Sequence, residues 1–281
     1  MKRYGILFVL IGLVAVLWAV IWPLSYEYAS NGFGLFIRGT INRGIEFNSQ
    51  NTQITAPSDG EVVFECSEPT LLSGFPIPEG SMLVCKNQGD ILTIYTGLIT
   101  APTVLKTPQF KENDLLGMTQ NVPDARAYAY VFDLKNSMYL HPHHVFPIIK
   151  ETNAPQIRAA LLFNETGEVQ LSQIKNIKQG NWYLKCKAID IVNPAYTDGV
   201  KRVTFLLNGM EKYTIMLDTI AVKNGKLVFQ ANNSWSSDVI DSNGFIVLGP
   251  AYITKGKSII TLVLEDFYGN TKGYSWSITV E

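Results

Sequence analysis

An all-β protein of two modules behind an N-terminal apolar helix is what the sequence predicts, on three observations. Short alternating segments recur along the chain, separated by Gly, Pro, Asn and Asp. Beyond residue 30, no long stretch carries helical apolar periodicity. Apolar residues make up 47% of the 281 and charged residues 17%, with 13 Tyr and 14 Phe. That composition suits a folded β-rich chain and excludes a disordered one, and the length allows two modest cores.

The N-terminal segment, residues 1–30, stands apart. Lys2 and Arg3 precede an unbroken apolar stretch from Gly5 to Trp22. It approaches the roughly 20 residues that span a bilayer and exceeds the roughly 7–15 of a signal-peptide core. Neither Pro23-Leu24-Ser25 nor Glu27-Tyr28-Ala29 makes a good small-x-small cleavage site. Trp18, Trp22, Tyr26 and Tyr28 would suit an interfacial aromatic belt, with the basic end cytoplasmic. The expectation is an uncleaved anchor holding the protein on a membrane. A cleaved signal peptide and a buried soluble helix stand as alternatives.

The first module is expected over residues 31–150. "QITAPSDGEVVFEC", "GSMLVCKNQGDILTIYTGL" and "AYAYVFDLKNSMYL" each read as strand, turn, strand. Polar text with a proline, "KETNAPQI", marks a boundary. A second series fills 157–281, with strands at roughly 8–12-residue spacing, the mark of an antiparallel sandwich. Asn208-Gly209 between apolar runs predicts a tight hairpin. Gly269-Asn270 sits at the tip of a closing hairpin like those of immunoglobulin-like modules, although the Cys–Trp–Cys spacing of antibody domains is missing.

A formal charge of −1 with no long Lys/Arg run argues against nucleic acid as a partner. Export permits disulfides. Cys66 and Cys85, on consecutive strand-like segments, are the candidate pair; the alternative is small buried apolar residues.

Several segments occur in the order of known landmarks: "NRGIEF" (42–47), "ITAPSDGEVVF" (54–64), "LTIYTGL" (92–98), "FKENDLLG" (110–117) and "AYVFDLKNSMYLHP" (129–142). Together these resemble the β-sheet core of the lysostaphin/LytM-type zinc metallopeptidases. There they correspond to H-x-G-x-D-F, I-x-A-P-x-D-G-x-V-x-F, Y-x-H-L, V-K-x-G-x-x-I-G and, loosely and one residue short, H-x-H-F-E with its closing N-P.

The resemblance implies zinc held by the first His, the Asp and the second His of H-x-H, leaving a position for water. Here those positions carry Asn42, Glu46 and Val131. The two assisting histidines correspond to Gly97 and Ala129. Only Glu46 could still ligate. The resemblance therefore implies a degenerate, non-catalytic LytM-like domain without cofactor, in the bacterial cell envelope and anchored in the inner membrane. Its expected partner is a peptidoglycan hydrolase or peptidoglycan. The alternative is a zinc metalloendopeptidase using substituted ligands, Glu46 with histidines from 141–144.

"YLHPHHVFP" (139–147) holds all 3 histidines, His141, His143 and His144. An extended chain would let His141 and His143 face one way. They are read as exposed or hydrogen-bonded histidines, with an adventitious metal site as the alternative. Tyr95, Tyr128 and Tyr130 are candidates for a peptide- or glycan-binding platform in the groove; strand packing is the alternative. Asp190, Asp218 and Asp266 at strand ends are read as turn caps rather than calcium ligands, since no D-x-D-x-D cluster is present.

Overall fold

Three neighbouring strands organise the first half of the computed structural model, which describes residues 21–67, 80–87, 89–232 and 234–281. Arg126–Asp133 runs antiparallel to Gly44–Asn48 on one side and to Ile91–Thr100 on the other. Beyond Ile91–Thr100 lie Ser81–Lys86 and then Gly60–Cys66. Beyond Gly44–Asn48 lies Ala29–Asn31. Alternation along the strands sorts their side chains onto two faces. Ile45, Phe47, Leu83, Tyr95, Ala127 and Ala129 enter one apolar cluster. Met82, Ile94, Tyr128 and Tyr130 enter another.

The second half is two packed layers. One contains Gly167–Gln170, Gln156–Asn164, Gly180–Ile191 and Ile246–Ile253. The other contains Lys226–Ala231, Met210–Lys223, Arg202–Leu207, Gly256–Glu265 and Thr271–Val280. Leu162, Leu184 and Leu248 from the first layer meet Val203, Phe205, Ile260 and Leu262 from the second in one core. Asn208 (φ 53°) and Gly209 (φ 80°) turn the hairpin expected there, since both central positions of that tight turn need positive φ. Strands dominate the described residues, and the α-helix Pro102–Lys106 is five residues long, so the all-β expectation holds.

The two halves share structure across the boundary near residue 150. Met138–Leu140 pairs with Met210–Lys223, and Asn31 pairs in parallel with Thr197. The cluster holding Tyr128 and Tyr130 is continuous with the core of the second half.

No helix among the described residues is long and apolar enough to cross a membrane. The expected anchor lies outside the described residues up to position 20. Its last residue, Trp22, packs against Phe47, His143 and Phe146 at ring separations of 6.4, 5.9 and 5.3 Å.

The candidate Cys66–Cys85 bridge is not formed; both thiols are free, as is Cys186. The strands are adjacent, but the register sets Cys66 opposite Met82 and Cys85 opposite Val62. An offset of about three residues along the strands separates the two by roughly 10 Å, beyond the roughly 7 Å reach of a disulfide. Burial instead pushes the Cys85 and Cys186 thiols up to about 12, as for small apolar residues.

Candidate functional site

Glu46 is the centre of the first half's polar chemistry. Its side chain is 1% exposed, on the sheet face shared with Tyr128, its partner across the ladder. A carboxylate buried this deeply needs compensating charge, and two arginines supply it. Arg38 Nη2 lies 3.0 Å from Oε1, and Arg38 Nη1 donates to Oε2 at 3.2 Å. Arg126 Nε stands 3.4 Å from Oε1. Asn31 Nδ2 donates to Oε2 at 3.3 Å, and Arg38 also donates to the Tyr128 hydroxyl at 2.5 Å. Its bonds to Glu46 raise the Arg38 pKa further. Burial, then the negative charge of Glu46, pushes the Tyr128 phenol up to about 12, so it stays neutral.

Local sequence explains how Arg38 gets there. Phe36–Ile37 and Thr40–Ile41 form a two-residue hairpin whose tip is Arg38-Gly39, with φ of 50° and 79°. Glycine adopts that conformation freely; arginine accepts it while its side chain is pinned to Glu46.

The other positions picked out by the resemblance do not gather around Glu46. Asn42 is fully buried, and its amide donates to the carbonyls of Asn31 and Gly32 at 3.0 Å each, while Oδ1 accepts from Gly44 N–H. Ala129 lies opposite Ile45, so it points to the other face, and Val131, two residues on, follows it. Gly97 has φ 81°, in the left-handed region that glycine adopts freely. Asn42, Glu46, Gly97, Ala129 and Val131, the positions where the resemblance places a zinc site, are therefore not brought together by the strand register. A one-residue offset decides it, and Tyr128 and Tyr130 occupy the Glu46 side. One carboxylate held by two guanidinium groups, beside two phenols, does not fit zinc.

The tyrosine platform is corrected as well. Tyr95, Tyr128 and Tyr130 are 1%, 3% and 0% exposed, so none offers a ring to a ligand at the surface. Tyr95 is opposite Ala129 and belongs to the other face. Tyr128 and Tyr130 stack on each other, 6.0 Å apart and 3° from parallel.

The histidine segment is not extended. Pro142–His144 forms a 3-10 turn capped by His141, whose Nδ1 accepts from the His143 N–H at 3.2 Å. That bond leaves Nε2 as the protonated nitrogen, 3.0 Å from Asp198 Oδ2. The same Asp198 oxygen accepts from the Tyr196 hydroxyl at 3.0 Å, and Oδ1 accepts from Gly199 N–H. The His141 ring stacks on Phe267 at 3.8 Å. With both nitrogens engaged, His141 pins the two halves together. His143 rests edge-on against Trp22 and Tyr268. Burial, and then the neighbouring His141 and His144, lowers its pKa to about 3.

Of the three aspartates, Asp266 caps its own turn as expected, with Oδ1 accepting from the N–H groups of Tyr268 and Asn270 at 2.8 Å each. Asp218 lies within the strand Met210–Lys223. Asp190 behaves differently. It is fully buried with no hydrogen bond to either oxygen among the described residues, and burial, then Asp266 and Glu151, pushes its carboxyl up to about 8. Arg38, Arg126 and Glu151 escaped the sequence reading. The Arg-Gly turn was a usable signal for the first; nothing local marks the other two.

A protein-family model matches residues 154–281, the span of the second strand series. No curated protein matches the chain.

Proposed function

We propose that this is a non-catalytic, LytM-like protein of the bacterial cell envelope that binds or regulates a peptidoglycan-remodelling partner. The observation that carries the reading is the fate of Glu46. The single metal-ligand type remaining among the zinc positions is neutralised by Arg38 and Arg126, on a face that the second half covers through Tyr128 and Tyr130. A peptidase needs an open metal position and an open groove; this face has neither.

The resemblance draws further support from backbone features at its motif glycines. Gly44 stands at the glycine of H-x-G-x-D, where an added Cβ would lie 2.1 Å from the Ala129 carbonyl oxygen. Gly117 closes the V-K-x-G-x-x-I-G match, and a Cβ there would meet the Ile99 carbonyl at 2.6 Å. Asn113 replaces that motif's first glycine and has φ 69°, a conformation asparagine tolerates better than most residues. The two packed layers of the second half support the immunoglobulin-like reading in the same way. The apolar run after Lys2 and Arg3 is read as the membrane anchor.

The experiment is a peptidoglycan-release assay with the full chain, alone and with an envelope amidase. The expected result is no release by the chain alone and several-fold stimulation of the amidase. Chelator-sensitive release by the chain alone would instead support the metalloendopeptidase with substituted ligands. No release and no stimulation would remove the proposed regulatory role.

A further inference from the structure

Glu151, Asp190 and Asp266 come from three separate places in the chain: the connection between the halves, the end of the strand Gly180–Ile191, and the loop after Gly256–Glu265. One carboxylate oxygen from each lies within 4.8 Å of the others. Both oxygens of the fully buried Asp190 lack a partner, and so does Oδ2 of the fully buried Asp266. No Lys or Arg among the described residues forms an ion pair with any of the three. Elsewhere this fold does satisfy its buried carboxylates, Glu46 with two arginines and Asp198 with hydrogen bonds from His141, Tyr196 and Gly199. Buried acids aimed at one point without compensation are costly unless a cation joins them.

We propose that Glu151, Asp190 and Asp266 bind a calcium ion at the junction of the two halves. The donors are all carboxylate oxygens, the choice of a hard cation rather than of zinc or copper. Calcium holds its ligands at about 2.3–2.6 Å, so oxygens on opposite sides of the ion are about 4.6–5.2 Å apart; magnesium, at about 2.1 Å, needs a tighter cage. The three oxygens here all lie within 4.8 Å of one another, inside the span of a calcium shell, and calcium's flexible geometry accepts an irregular carboxylate set that magnesium's strict octahedron does not. The donors also have free capacity. Asp266 spends Oδ1 on its own turn and leaves Oδ2. Glu151 accepts once at each oxygen, from Asn153 N–H and from Asn270 Nδ2, and each oxygen keeps a lone pair.

The consequence is mechanical. Glu151 belongs to the connecting segment, which is also held by the Tyr274 hydroxyl donating to the Pro155 carbonyl at 3.0 Å. Phe267 and Tyr268, next to Asp266, carry the ring contacts to His141 and His143 of the first half. A cation joining all three acids fastens the connection to the loop that docks on the first half, so the relative placement of the halves becomes calcium-dependent.

The test is thermal unfolding and equilibrium dialysis of the full chain, after chelation and with calcium, at matched ionic strength. The expected result is one calcium per chain with a dissociation constant on the order of 10⁻⁴ M, the range of extracellular modules. Melting should rise by roughly 5 °C at about 10 mM calcium. Asp190→Asn should bind no calcium and lose the calcium response in melting. Glu151→Gln, on the connecting segment, should lose most of the binding and serves if Asp190→Asn fails to fold. No calcium-specific shift and no bound calcium in the wild type would overturn the proposal. So would a full response that survives Glu151→Gln.

Discussion

Arg38 and Glu46 form a two-pronged ion pair, Nη2 to Oε1 at 3.0 Å and Nη1 to Oε2 at 3.2 Å, across a hairpin tip and the neighbouring strand. A guanidinium fork matches both carboxylate oxygens at once, which a lysine cannot do. The pair accounts for a buried acid that no metal has to compensate.

Removing one partner should therefore cost more than removing both. Arg38→Ala is expected to destabilise the fold by about 1–3 kcal/mol, less than a fully buried pair would lose, because Arg38 is half-exposed and Arg126 remains. Adding Glu46→Gln should restore part of that loss. Denaturant unfolding of the two variants checks the order, and a double variant less stable than Arg38→Ala contradicts the pairing.

Gly44→Ala should be among the most damaging single substitutions. Its Cβ would sit 2.1 Å from the Ala129 carbonyl oxygen, a backbone atom that cannot swing aside, where the ladder pairs Gly44 with Tyr130. The expected loss is more than about 3 kcal/mol, or failure to fold. Circular dichroism and soluble yield are the readouts; a variant with near wild-type stability would mean that these two strands lie farther apart.

Acid should weaken the fold through His143. Its folded pKa is lowered to about 3 against an ordinary 6.5, so between those values the unfolded chain binds the extra proton. The stabilisation is full above pH about 6.5 and falls away as pH drops toward 3, reaching about 1–2 kcal/mol of loss near pH 5. His141, His144 and Tyr268 are the titratable groups around it. Replacing His143 with Gln should flatten the stability profile between pH 7 and 5, and an unchanged slope contradicts this assignment.

The shared cluster, the ladder between Met138–Leu140 and Met210–Lys223, and the His141–Asp198 bond all cross the boundary near residue 150. Unfolding should accordingly be one cooperative transition, and residues 150–156 should resist limited proteolysis until it occurs. Two resolved transitions, or early cleavage there, would contradict a common core.

Much of this fold was legible in short-range patterns. Strand alternation fixes Val203, Phe205 and Leu207 as a buried row, and Asn208-Gly209 has the chemistry its turn requires. What was not legible depends on register and on distant partners. Ala129 and Tyr128 differ by one position, and that one position decides which faces Glu46. His141 reads in the sequence as an exposed or hydrogen-bonded histidine, but its partner, Asp198, lies 57 residues away and has no local signal. Asp190 and Asp266 looked like isolated turn residues because Glu151, the third acid of the group, is brought to them only by tertiary packing.

The most direct test of the central claim is the zinc content of the full chain, purified without chelator, beside that of Glu46→Gln. With Glu46 neutralised by Arg38 and Arg126, the account predicts no stoichiometric zinc in the wild type and no change in the variant. One zinc per chain in the wild type, released by Glu46→Gln, would contradict it.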